Sequence, residues 1–257
     1  MKRFILPFIL ILAFVLRIIW LDKYPSGFTP DEASFGYDAY SILRTGKDQW
    51  GKPFPLVLES FGDFKSPLYA YLTIPSVAIF GLNRLAVRLP NAILGTLAIL
   101  ITYLLAKKLF NRKVGFFSAF LLAISPWHVM LSRGAFEANL TTFFLPLGIY
   151  LLLRGNFILA GVSLGLNLFT YHTAKFVTPL VLISFVFFYR KELRDLLIEK
   201  KRILILGILT FLVFAGLTVY TFLQGAAVRI TERSITQGAT EASFQEKMNS
   251  SKILGGF

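Results

Sequence analysis

Cysteine is absent from the 257 residues, and histidine nearly so, with only His128 and His172. The first absence excludes disulfides, thiolate metal sites and thiol catalysis. The second leaves no histidine cluster, and two histidines among scattered acids do not specify a metal site. An octahedral divalent cation on oxygen ligands stays open, and no cofactor is required. Acids are scarce too: 14 against 27 lysines and arginines, for a net charge of +13. No internal repeat stands out and no acid lies midway along an apolar run, which argues against a transporter built from repeated halves.

What the chain has in quantity is apolar surface. Hydrophobic residues make up 55% and charged ones 16%, and mean hydropathy is +0.65, outside the balance of a soluble domain. Several runs approach or exceed the ~18 residues that read as a membrane-spanning helix. In so apolar a chain the basic excess points to cytoplasmic loops, and nucleic acid is not an expected partner.

The order of runs gives a topology. Lys2-Arg3 precedes an apolar stretch from Phe4 to Leu21 with no small-x-small site after it, read as an uncleaved first span with a cytoplasmic N-terminus. Arg17 is expected to snorkel to the far interface. Residues 22–87 form a first external loop. Within it Asp31 to Thr45 reads as an amphipathic helix, with Thr29 as N-cap, Pro30 in the first turn, Glu32 closing a capping box and Gly46 as the stop. Ala33, Tyr37, Tyr40 and Leu43 recur at helical spacing, so this helix is expected on the membrane surface.

The run from Pro67 to Leu82 decides the rest. If it lies in the interface as a second surface helix, spans follow at about 88–106, 114–132, 137–153, 156–172, 173–189 and 203–223. Lys107, Lys108, Arg112 and Lys113 then fall inside, as do Arg190, Lys191, Arg194, Lys200, Lys201 and Arg202. The opposite choice exposes both clusters outside, against the positive-inside rule. The expected fold is an all-α polytopic membrane protein of about seven spans and two surface helices: a module over 1–223 and an external polar tail over 224–257, read as the start of a further part.

This topology brings Asp31, Glu32, Lys65, Arg133, Glu137, Tyr171, His172 and Lys175 to the outer face. Asp31 and Glu32 suit a first helical turn, and the plain reading makes them caps; the sharper reading makes one carboxylate a general base. Lys65 precedes a helix opened by Pro67, where free N–H groups favour an anion; ordinary snorkelling is the alternative. Arg133 and Glu137 are four apart and either pair on one helix face or, for Arg133, grip a phosphate. Tyr171, His172 and Lys175 interrupt an apolar stretch on the same side. Gly161 and Gly165 form a small-residue packing pattern, with Asn167 placed for an interhelical hydrogen bond. A substrate combining phosphate with a long apolar chain fits such a site.

Thr29-Pro30-Asp31-Glu32-Ala33, then Phe64-Lys65-Ser66-Pro67-Leu68-Tyr69, then Phe80 through Pro90 (FGLNRLAVRLP), resemble the GT-C superfamily of membrane glycosyltransferases. Ser125-Pro126-Trp127-His128 through Ser132-Arg133, followed by Glu137, continue the likeness. The match is to the branch of protein O-mannosyltransferases and lipid A aminoarabinose transferases, over about residues 1–220. The resemblance implies transfer of a sugar from a polyprenyl-phosphate carrier to a hydroxyl of a glycan, lipid or protein acceptor at the extracytoplasmic face of the cell membrane, with inversion. It gives Asp31 the role of base with Glu32 beside it, Lys65 and Arg133 the carrier phosphate, and Glu137 a place near the site. Ser66 stands where relatives often carry proline, and Glu137 where many carry aspartate. Phe64 stands where some carry a metal-binding acid, so no metal is carried over. The chain resembles the catalytic half of the fold without the acceptor-binding half. The competing expectation is a non-catalytic lipid-phosphate binder or flippase-like protein, for which two external carboxylates have little use.

Overall fold

A computed structural model of the protein describes residues 4–60, 63–191, 194 and 200–221. The expected tail over 224–257 lies outside the described residues. The chain is mainly helical: α1 (Ile5–Ile18), α2 (Pro30–Thr45), α3 (Leu68–Phe80), α4 (Arg84–Leu109), α5 (Arg112–Ile124), α6 (Pro126–Arg133), a 3₁₀ turn (Glu137–Leu140), α7 (Thr141–Leu153), α8 (Phe157–Leu168), α9 (Ala174–Phe188) and α10 (Lys201–Thr221). The all-α expectation misses one element. Between α2 and α3 the chain forms an antiparallel hairpin of β1 (Leu58–Ser60) and β2 (Asp63–Lys65), with Lys65 opposite Leu58.

α4 is the central element, packing on α1, α3, α5, α6 and α7. Its start is set by Asn83, whose side chain accepts from the Ala86 amide at 2.9 Å. The turn into α5 is capped by Asn111 in the same way. α8 and α10 meet at glycines: a Cβ on Gly161 would strike the Gly207 backbone, and one on Gly165 the Phe214 ring. Asn167 donates to Thr178 Oγ1 at 2.8 Å, the interhelical bond expected of it.

Among the described residues two helices, α4 and α10, are long and apolar enough to cross a membrane, or three if α5 and α6 count as one bent span; five shorter apolar helices of 10–17 residues accompany them. The run expected as one span over 114–132 breaks at Ser125-Pro126, with a bend of 58°. Proline supplies no N–H, so the end of α5 keeps bare carbonyls. Arg17 fills that gap. It is fully buried rather than snorkelling, donating to the carbonyls of Ala13, Ala123 and Leu122 and to His128 Nδ1 at 2.7 Å. His128 Nε2 then meets Thr142 Oγ1 at 3.2 Å, so this histidine is part of the core.

The capping box of α2 forms as the sequence dictates, and Gly46 ends the helix in the left-handed region at φ +70°. α2 buries Glu32, Phe35, Asp38, Ala39 and Ile42 against β1, α3 and α4, while Ala33, Tyr37 and Leu43 stay exposed.

Candidate active site

Three inputs converge at the N-terminal end of α2. The first is the helix itself, which places Asp31 and Glu32 about 100° apart, so that one faces out and the other in. Glu32 is 2% exposed. Its carboxylate accepts from Arg88 Nε at 2.7 Å and Nη2 at 3.0 Å, and from the amides of Thr29 and Ala135 at 3.0 and 3.1 Å. Burial pushes the Glu32 carboxyl up, but Arg88 and the two amides outweigh it and hold it below its ordinary value. Both oxygens are saturated, so Glu32 is a tie between α2, α4 and the corner after α6.

Asp31 points the other way. Its side chain is 62% exposed, yet Oδ1 meets the ammonium of Lys65, whose side chain is 3% exposed, as an ion pair at 2.5 Å. Lys65 comes from the end of β2 and lies over the Phe35 ring at 5.2 Å. The charges of Asp31 and Lys65 both act on Glu137, a buried carboxyl in the 3₁₀ turn. Asp31, Lys65 and Glu137 thus share one neighbourhood, assembled from three separate segments.

His172, in the turn before α9, and Lys175, in the first turn of α9, approach Lys65. Nε2 of His172 contacts the Phe64 carbonyl at 3.0 Å. Both side chains line a narrow cleft with Lys65, Ser66 and Pro67. Tyr171 stacks edge-on to His172, with centroids 5.8 Å apart.

Arg133 is employed elsewhere. Its guanidinium donates to the carbonyls of Leu16, Ile19, Trp20 and Tyr24, closing the end of α1. It does not pair with Glu137, because α6 stops at Arg133 and Gly134 is extended. The i,i+4 geometry that pairing needs is therefore never formed.

Residues not singled out from the sequence hold the site together. Arg88 also binds the carbonyls of Leu21, Pro25 and Gly27. Asn91 donates to those of Leu131, Gly134 and Phe136, fixing the corner that carries Ala135 and Glu137. Tyr69 donates to the Val87 carbonyl at 2.8 Å and packs on Phe35. The available signal was the spacing of Arg88 and Asn91, two polar residues about one turn apart in an otherwise apolar stretch of α4 from Leu85 to Gly95. Among the described residues no three histidines or carboxylates cluster as metal ligands.

A sequence profile of the dolichyl-phosphate-mannose-protein mannosyltransferase family matches residues 64–220, well over half of the chain. The chain belongs to this family. It is 27% identical over 212 residues to undecaprenyl phosphate-alpha-4-amino-4-deoxy-L-arabinose arabinosyl transferase 1 of Pseudomonas fluorescens, covering 77% of this chain and 37% of that protein. An uncharacterised protein of Aquifex aeolicus is 28% identical over 197 residues, covering 74% and 38%. Among solved structures, apo ArnT from Cupriavidus metallidurans superposes with a TM-score of 0.63 at 17% identity, covering 89% of this chain and 42% of that one. Archaeoglobus fulgidus AglB, an oligosaccharyltransferase in complex with an inhibitory peptide and a dolichol-phosphate, does so at 0.60 and 19%, covering 98% and 36%. At such identities the structures show a common fold. The GT-C membership read from the motifs is borne out. The chain spans well under half the length of the relatives it matches.

Proposed function

We propose that the protein moves a sugar from a polyprenyl-phosphate carrier to an acceptor hydroxyl, with Asp31 as general base and Lys65 on the carrier phosphate. The observation that carries this reading is the Asp31–Lys65 pair: an exposed carboxylate held against a buried ammonium at the edge of an apolar helical body. The acceptor hydroxyl gives its proton to Asp31 as its oxygen bonds to the anomeric carbon. The carbon–oxygen bond to phosphate breaks on the opposite face, and the electron pair leaves with the phosphate. A single displacement inverts the anomeric centre. The leaving group gains one negative charge, which Lys65 offsets in a site of low polarity. Before the carrier arrives Lys65 is paired with Asp31. Engagement with phosphate draws the ammonium away, so donor binding frees the base.

Glu32 supports this chemistry by position, and Arg133 by anchoring the chain that leads into Thr29. Glu137 is the second carboxyl within electrostatic reach of the reacting groups. The same reading places the site outside the membrane, with the N-terminus inside, about seven spans, and α2 and α3 in the interface. The outward stripe of Ala33, Tyr37 and Leu43 supports that placement.

The test is transfer of labelled sugar from a polyprenyl-phosphate donor in membranes carrying the full chain. Asp31→Asn should lower transfer by about 10²- to 10⁴-fold, the range for a lost general base, with carrier binding retained. Equal transfer by both proteins would sink the base assignment. Carrier binding without transfer in either would favour a lipid-phosphate binder.

A further inference from the structure

The space between α8, α9 and α10 has no part in the transfer reaction. Asn167 and Thr178 tie α8 to α9 at one end, and α8 and α10 close on each other at Gly161 and Gly207. Farther along α9 the helices part around a groove of about 660 Å³, lined by aliphatic and aromatic side chains and by those two glycines, with no polar side chain. Its α9 wall, Leu182 to Phe187, begins seven residues beyond Lys175, about 10 Å along the helix from the cleft at Lys65. What marks this groove is the charge at one end. Arg190 lies over the ring of Phe187, a groove residue, at 5.5 Å. Lys201 opens α10 three residues before Leu204, on the face that lines the groove, and Arg202 follows it. No acid lies in that first turn, so the free N–H groups there add to the positive potential. All three cations are exposed, and among the described residues none is in an ion pair. In sequence, residues 190–202 hold six lysines and arginines against three acids. An apolar slot thus runs up to a cationic rim to which both walls contribute.

We propose that the groove holds one anionic phospholipid, with an acyl chain between α9 and α10 and the headgroup phosphate on Arg190, Lys201 and Arg202. In a bilayer the chain gains little by moving from lipid into the groove, since both are apolar. Selection therefore comes from the rim. A zwitterionic lipid brings the same chain and the same phosphate, but its ammonium opposes the cations, so the rim favours a net negative headgroup. The topology proposed above puts this rim on the cytoplasmic side, and the lipid then belongs to that leaflet. The inference uses none of the sugar-transfer chemistry.

Native mass spectrometry of the full chain, titrated in detergent micelles with phosphatidylglycerol or with phosphatidylcholine of identical acyl chains, counts the lipids retained and gives their affinities. The parent should retain one phosphatidylglycerol, about tenfold or more tighter than phosphatidylcholine. Arg190→Gln combined with Lys201→Gln should weaken phosphatidylglycerol about 25-fold, a factor of about five for each cation near an anionic lipid, and leave phosphatidylcholine where it was. Val186→Trp, which puts an indole into the groove, should weaken both lipids. Lys108→Gln combined with Lys113→Gln removes two charges from the other basic loop and should change neither. The proposal is overturned if the parent binds both lipids alike, or if the Arg190 and Lys201 variant keeps phosphatidylglycerol at parental strength. It is also overturned if the Lys108 and Lys113 variant weakens that lipid as much, since the attraction is then to net charge. A parent that retains no lipid and dimerises, with Val186→Trp monomeric, would overturn it in favour of a second copy in the groove. Should Val186→Trp fail to fold, the two charge variants decide the matter. Sugar transfer on the same preparations keeps the two readings apart: transfer without a retained lipid removes the lipid site alone, and a retained lipid without transfer removes the transferase alone.

Discussion

The buried Glu32–Arg88 pair sets the sharpest expectation about stability. Arg88 is 1% exposed and uses its guanidinium twice on Glu32 and three times on the carbonyls of Leu21, Pro25 and Gly27. Removing one member of a buried pair leaves an uncompensated charge, at a cost of about 3–5 kcal/mol. The two deletions are not equivalent. Glu32→Gln keeps the shape and leaves Arg88 its three carbonyls, so it belongs near the lower figure. Arg88→Met strands the carboxylate and bares the carbonyls together, so it belongs near the upper. The double variant buries no charge and should cost less than the sum by about 2 kcal/mol. Denaturant unfolding in mixed micelles, followed by the fluorescence of Trp20, Trp50 and Trp127, reads all four corners of the cycle. Additivity within about 0.5 kcal/mol would refute the coupling, as would an Arg88→Met cost below about 1 kcal/mol. The pH dependence has a fixed sign. Glu32 is held below its ordinary value of 4.5, so its contribution is complete above that pH and is lost as pH falls through the folded value.

Asp38 should behave in the opposite sense. Burial, opposed by the Gln49 amide and aided by the charge of Asp48, raises its carboxyl from 3.8 to about 6. The folded state therefore holds a proton that the unfolded chain has lost, and stability falls by up to about 3 kcal/mol as pH rises from about 4 to about 6, then levels. The melting temperature of Asp38→Asn should lack this fall; a parent-minus-variant difference that stays constant across that window would count against it. Gly161→Val should cost about 1–3 kcal/mol in the same unfolding assay, because its Cβ would meet the Gly207 backbone and the Phe211 amide at 3.3 Å. Gly216→Ala, with nothing within 4 Å, is the matched control and should be close to neutral.

What the sequence made legible was local. Thr29, Pro30, Glu32 and Gly46 announce α2 because each acts on backbone groups within four residues of itself, and all four do what their types dictate. The breaks in the longer runs were legible in principle, since Ser125-Pro126 carries a proline where a span was drawn through it. The hairpin was harder: three-residue strands in a loop rich in Gly and Pro give almost no periodic signal. The arginines were not legible at all. Arg17 reaches Ala123 across 106 positions, and Arg133 reaches Leu16 across 117. In both cases the partner is a carbonyl, and every residue has one. Nothing in sequence marks which carbonyl will be bare, so an arginine near a membrane boundary reads as snorkelling or phosphate-binding until the fold is known.

This bears on how two adjacent carboxylates divide their work. A helix turns about 100° per residue, so Asp31 and Glu32 cannot both face the site, and only the fold decides which one does. Arg88 decides it. By drawing Glu32 inward with two hydrogen bonds, it rotates Asp31 outward onto Lys65. Arg88 and Arg133 together also pin seven carbonyls from residue 16 to residue 27, so the chain enters Thr29 already constrained. A carboxylate on the first turn of a helix is only as well placed as the segment of chain that delivers it. Under the proposed reading Lys65 would face the carrier phosphate, while the two arginines hold the segment that sets where Asp31 lies.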